Sequence, residues 1–256
     1  HKNFRWSSSF IASLNRNEIA HLYGEMVDVL DKDGNVIGQR EDDDIQNGWY
    51  IGHALDEIYD YKILGVWQEN EREDAAKYGK EPGDFKIWDV NNDGEYLPED
   101  DKVFQGYKRP RFSFGIGNTM EFFKCVDFSF FIRSDLGHKS SNSHYSHPTD
   151  YYYDRVNAYK YDYWTPENPT NEFARLGSNT QSPSFNVYKN RSYVRLQEVS
   201  LAYRIPNKIS SKWSVSNARV YINVSNPLLI TGWNYWDPES LSPAPRTFTF
   251  GINFSL

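Results

Sequence analysis

The last eleven residues, Arg246 to Leu256, constrain the fold more than any other stretch. Phe248, Phe250, Ile252, Phe254 and Leu256 fall on one side, and Thr247, Thr249, Gly251, Asn253 and Ser255 on the other. An unbroken period of two predicts a β-strand with one apolar and one polar face. About ten such residues is also the length that crosses a bilayer when the strand is tilted. Small polar residues on the wet side suit an aqueous lumen.

Six further stretches read as strands. Asn3 to Leu14 alternates, with Ile11 as the exception on its polar side. Ile58 to Gln68 is aromatic and β-prone. Pro110–Phe122 and Val126–Asp135 form a hairpin around Lys124-Cys125, with Asn118 alone breaking the apolar row. Ser192–Ile205 carries Val199, Leu201, Tyr203 and Ile205 in phase but Val194 and Leu196 out of phase, which predicts a bulge near Gln197-Glu198. Arg219–Asn226 completes the set. A small hairpin is expected at Met26–Leu30 and Asn35–Gln39, turning on Asp31-Lys-Asp-Gly34.

The connections sort by length. Those at 69–109, 136–191 and 227–244 are long and would share one side; those at 123–124 and 206–216 are short and would share the other. The stretch from Asn15 to Asp56 is the exception. Long loops outside and short turns inside is the asymmetry of outer-membrane barrels. The fold class expected is therefore all-β, an antiparallel transmembrane β-barrel segment with long extracellular loops. A signal peptide and whatever else precedes such strands are expected outside residues 1–256.

Composition narrows the classes without choosing between them. Aromatic residues make up 17% of a chain only 39% hydrophobic, which fits aromatic girdles at a bilayer surface and equally a carbohydrate-binding sandwich. A net charge of −7 with no Lys/Arg cluster argues against nucleic acid. No run of apolar residues is long enough for a transmembrane helix. Cys125 has no second cysteine to bond.

Seven segments in order then carry a resemblance. They are Asn15-Arg-Asn-Glu-Ile19, Tyr59-Asp-Tyr-Lys-Ile-Leu-Gly-Val-Trp-Gln68, Pro82-Gly-Asp-Phe-Lys-Ile-Trp-Asp-Val-Asn-Asn-Asp-Gly94, Tyr163-Trp-Thr-Pro-Glu-Asn-Pro-Thr-Asn171, Ser192-Tyr-Val-Arg-Leu-Gln-Glu-Val-Ser-Leu-Ala-Tyr203, Asp237-Pro-Glu239 and Pro245-Arg-Thr-Phe-Thr-Phe-Gly-Ile-Asn-Phe254. Together they resemble the C-terminal third of a SusC/RagA-type TonB-dependent outer-membrane transporter. Ala174, where a proline is usual before Arg175-Leu176, and the final Leu256, where a Phe is usual, depart from the pattern. The resemblance implies about the last seven strands of a barrel of about 22, with the plug and TonB-binding segment upstream. It implies a SusD-like surface lipoprotein as partner, and oligosaccharides or peptides as cargo.

Candidate sites are few. Asp89-Val-Asn-Asn-Asp-Gly-Glu-Tyr-Leu-Pro-Glu-Asp100 matches a twelve-residue calcium loop, with Asp89, Asn91 and Asp93 at positions 1, 3 and 5 and Gly94 at 6. The Glu95 carbonyl would serve at 7 and Asp100 at 12. Leu97 at position 9 cannot ligate. The stretch reads either as a structural Ca²⁺ site or as a solvated acidic turn. His138, His144 and His147 are close in sequence but lack the companions of a zinc site. Tyr151, Tyr152 and Tyr153, with Trp233, Tyr235 and Trp236, are placed to stack on a substrate or contact a partner, or to serve as an aromatic belt. No pair of carboxylates is positioned as a catalytic dyad and no nucleophile motif appears, so an enzyme is not expected. The rival to the barrel wall is a soluble glycan-binding β-sandwich, and the outward faces discriminate them: a sandwich buries what a barrel shows to lipid.

Overall fold

The computed structural model describes residues 3–141, 162–178 and 183–255. Fourteen strands are defined among them: β1 (Phe4–Leu14), β2 (Met26–Leu30), β3 (Val36–Glu41), β4 (Glu57–Tyr61), β5 (Ile63–Val66), β6 (Phe85–Ile87), β7 (Lys102–Tyr107), β8 (Phe112–Phe122), β9 (Val126–Leu136), β10 (Lys139–Ser141), β11 (Tyr188–Asn190), β12 (Tyr193–Arg204), β13 (Ser216–Thr231) and β14 (Thr247–Ser255). Helices are short, α1 (Arg72–Lys77), α2 (Pro98–Asp101) and α3 (Asn207–Ser210), and none described is long and apolar enough to cross a membrane.

The chain divides into two compact units. One holds a six-stranded antiparallel sheet in the order β1-β8-β9-β12-β13-β14. Its register aligns the apolar rows of all six strands. Phe10 pairs with Ile116, Ile116 with Ile132, Ile132 with Leu196, and Leu196 with Leu228. Farther along, Leu201 pairs with Ile222 and Ile222 with Phe250. This face is bare: Phe10, Phe250 and Ile252 are 65%, 73% and 68% exposed.

The bulge expected in β12 is present, between Leu196 and Glu198. Gln197 is the extra residue against β9, and it returns Val194 and Leu196 to the same face as Val199 and Leu201. Against β13 the irregularity falls at Asn226 and Pro227, with Asn226 at φ 54°. A proline is tolerated there because a bulge interrupts the ladder that its missing N–H would otherwise break. β13 consequently runs well past the expected Asn226, to Thr231.

One expected wall strand is not in this sheet. Ile58–Gln68 instead supplies β4 and β5, which pair with β7 and β6 in the second unit. Ile58, Tyr61, Val66 and Trp67 are buried there, so the segment lacks the one-sided exposure of a wall strand. With it removed, the exception at Asn15–Asp56 vanishes: one long excursion joins β1 to β8, and long and short connections alternate strictly from there.

The second unit, residues 17–108 with 139–189, has its own core of Tyr61, Val66, Phe85, Ile87, Trp164, Ala174, Phe185 and Val187. Two loops distant in sequence therefore fold as one body. The small hairpin of β2 and β3 forms as expected, its turn fastened by Asp31 accepting from the amides of Asp33 and Asn35 at 2.9 and 2.8 Å.

Candidate functional site

The polar face of the sheet is built from paired groups. Near the short-turn end, Arg204 bridges Asp127 at 2.5 Å and Glu121 at 3.3 Å. Mid-sheet, the Ser200 hydroxyl lies 2.6 Å from Asn223 Oδ1. Tyr221 lies over Gly251, where a Cβ would fall 2.2 Å from the ring; a larger residue there would have to displace the ring.

At the long-loop end, Arg195 is almost fully buried and meets Asp237 at 2.5 Å. Arg133 reaches Glu239 at 2.7 Å, and Arg191 donates to the Pro238 and Glu239 carbonyls. A buried guanidinium requires such pairing to offset its lost hydration. Burial opposes ionisation of Asp237, but bonds from Arg195 and from the Ser240 and Glu239 amides hold its carboxyl below the usual range. The Asp237-Pro-Glu239 motif thus clamps the aromatic loop of residues 233–244 to the six-stranded sheet. Within that loop Trp233 is buried, whereas Tyr235 and Trp236 keep partial exposure, their rings tilted by 58° with centroids 5.5 Å apart. Tyr151, Tyr152 and Tyr153 lie outside the described residues.

The acidic loop closes on itself. Asp89 accepts from the Asn92 and Gly94 amides at 2.6 and 2.9 Å and from the Tyr78 hydroxyl at 3.0 Å. Burial works against its charge, and these bonds outweigh burial to keep its pKa low. Asp93 accepts from the Glu95 amide and from the Asn91 side chain. Asp100 is exposed on α2; its neighbour Asp101 is wholly buried and accepts from the Val90 and Leu97 amides at 2.7 and 2.8 Å. Sequence reasoning passed over Asp101 because the twelve-residue template ends one position earlier. Among the described residues no three His, Cys, Asp or Glu side chains converge on one point; in this structure the Asp89 and Asp93 carboxylates accept from the loop's own amides. His138 is buried and held below its ordinary pKa by burial and by Arg191, while His144 and His147 lie outside the described residues.

Three of the resemblance motifs, Tyr59–Gln68, Pro82–Gly94 and Tyr163–Asn171, meet in the second unit. Asn171 Oδ1 accepts from the Val66 amide at 3.3 Å and the Gln68 amide group at 3.2 Å. Trp164 donates to Gln68 Oε1 at 3.0 Å, and Arg175 binds Asp84 at 2.9 Å. Gly83 has φ 93° and packs so tightly that a Cβ would lie 2.5 Å from Trp164 and 2.7 Å from Arg175. Ala174, in the usual proline position, is buried in this core. These conspicuous residues hold the loops of the unit together.

No protein-family model matches the chain. Along 99% of its length it is 31% identical to TonB-dependent receptor P26 of Formosa agariphila, and along its whole length 28% identical to TonB-dependent receptor SusC of Bacteroides thetaiotaomicron. It is homologous to the TonB-dependent receptors of the SusC family. The chain spans about a quarter of these relatives, 27% and 24% of their lengths. Its fold matches part of a chain in the RagAB peptide importer in the "open-open" state, with TM-score 0.67 and 18% identity over the whole chain, or 27% of that structure. The "closed-closed" state matches with TM-score 0.66.

Proposed function

We propose that residues 1–256 are the C-terminal portion of the barrel wall and outer loops of a TonB-dependent outer-membrane importer. The observation that supports this most is the six-strand apolar face, in register and uncovered, opposite a face of paired polar groups. The apolar face meets lipid and the polar face lines the lumen. The long-loop end lies outside the cell, where a surface lipoprotein of the SusD or RagB kind would lid the mouth. Cargo is an oligosaccharide or peptide, and energy arrives from TonB through the rest of the protein. The chain moves nothing chemically; it shapes and seals the path.

Fractionation of cells making the full-length protein tests this. Recovery in the outer membrane, co-purification with a surface lipoprotein and TonB-dependent uptake are the results expected. A soluble periplasmic or secreted product would overturn the reading in favour of a glycan-binding sandwich.

A further inference from the structure

The loop unit contains a cleft of about 670 Å³, within the range of about 300–1,000 Å³ common for small-ligand sites. One wall is aromatic. Trp49 is set by a tight turn: its amide and carbonyl exchange hydrogen bonds with Asp44 at 2.9 Å, and Asn47 closes the turn onto the Asp44 carboxylate. Tyr50 and Tyr59 lie beside it with ring centroids 4.7 Å apart. Phe104 packs behind both, 5.2 and 4.8 Å away, and His53 stacks on Phe104 at 3.6 Å. This wall is already packed together in the absence of a ligand.

The remaining groups are polar and balanced. Glu57, Glu99, Lys102 and Lys108 all line the cleft, so its formal charges cancel. Among the described residues, the hydroxyls of Tyr50 and Tyr59, the Trp49 indole N–H and the Gln46 side chain have no hydrogen-bond partner. Flat ring faces beside unengaged donors and acceptors, with charge cancelled, suit a neutral ring that is apolar on its faces and hydroxylated at its rim. A peptide would bring terminal charges or an extended backbone, and an aliphatic ligand would leave the polar groups unanswered.

We propose that this cleft binds one or two pyranose residues of a neutral oligosaccharide. It is a capture site within the loop unit. The inference narrows the cargo of the importer reading to saccharide, and in that respect rests on it.

The full-length transporter in detergent, titrated by tryptophan fluorescence and calorimetry with short β-linked gluco-, xylo- and manno-oligosaccharides and with a mixture of short peptides, tests the site. At least one saccharide should bind. Trp49→Ala and Glu99→Ala should weaken it about tenfold, and Tyr59→Phe, which keeps the ring packing, about fivefold. Trp49→Phe should retain binding while losing most of the fluorescence change. Binding unaltered by all three weakening variants, binding of peptides alone, or binding of neither panel would overturn the inference. Outer-membrane recovery and uptake separate the two readings. If both persist without saccharide binding at the cleft, only the capture site falls; if the protein is not in the outer membrane but the cleft binds, only the importer reading falls.

Discussion

Trp6 donates its indole N–H to the side-chain carbonyl of Asn118 at 2.9 Å, on the apolar face of the sheet. The pairing crosses β1 to β8, where Ser8 stands opposite Asn118. It accounts for the polar residue that interrupts an otherwise apolar row: Asn118 is 9% exposed, and its carbonyl is answered by the neighbouring strand. In lipid no water would answer it. Trp6→Phe should therefore destabilise the folded transporter by about 1–3 kcal/mol through the orphaned amide, and Asn118→Leu on that background should recover most of the loss. Urea unfolding in detergent, read by the heat-modifiable gel shift of the barrel, measures both; an additive double mutant would deny the pairing.

Charge should discriminate the two faces. Phe250→Arg and Ile222→Arg place a cation on the lipid side at a cost of about 2–4 kcal/mol near the midplane. Thr249→Arg and Asn223→Arg, one residue away on the paired strands, point to the lumen and should assemble nearly normally. Surface labelling of full-length variants compares them, and equal assembly of both classes would reverse the face assignment.

The acidic loop should depend on Asp101 more than on Asp100. Asp101→Ala leaves the Val90 and Leu97 amides without their acceptor, at about 1–3 kcal/mol for each that stays buried; Asp100→Ala removes an exposed carboxylate. Limited proteolysis between Gly83 and Gly106 should be faster for Asp101→Ala and Asp89→Ala and unchanged for Asp100→Ala. Chelation should leave the wild-type pattern as it is. Protection by calcium that Asp93→Ala abolishes would instead establish a Ca²⁺ site in the loop.

Two pH responses follow from the same unit. Asp89 has a lowered pKa in the fold, so its contribution is present above the ordinary carboxyl range and is lost as pH falls through its folded value. Tyr61, Tyr78 and Tyr188 are each pushed up to about 12, first by burial. A raised phenol contributes stability fully below pH 10, the unfolded value, and loses it as pH rises toward 12. Proteolysis of the loop unit should therefore accelerate at both extremes, and phenolate absorbance should show tyrosines that titrate late. Titration of every tyrosine near 10 without loss of protection would contradict it.

The clamp on the aromatic loop should be all or nothing. Arg195→Ala strands Asp237 in a buried position, which costs about 3–5 kcal/mol when one partner of a buried pair is removed. Arg195→Met with Asp237→Leu should be tolerated far better. Thermal unfolding of the two transporters compares them.

The wall strands were legible in the sequence because each shows one face to an apolar medium and one to a polar one, so alternation survives residue by residue from Phe248 to Phe254. Even the bulge at Gln197 announced itself as a phase error between Leu196 and Val199. Ile58–Gln68 misled for the complementary reason: its residues are buried on both sides in a small core, and β-branched and aromatic content alone does not say which sheet a strand joins. The loop unit stayed hidden because Val66 and Asn171 belong together only in three dimensions. Asp101 was obscured by a template that fixed attention on its neighbour, while the cleft beside Trp49 is assembled from turn, strand and helix residues with no shared spacing.

The core of the loop unit also imposes an order of events. Asp60 meets Asn186 across 126 residues, and Val66 meets Asn171 across 105. Between these partners the chain must pass through both β8 and β9. Contacts of such long separation form slowly, since the entropy of closing the loop is lost before any packing is gained. The first excursion, complete by Lys108, has to wait with half a core exposed until the residues beyond the hairpin arrive. A delivery chaperone would find its longest-lived hydrophobic target there, and a truncation after Leu136 would leave that target permanently open.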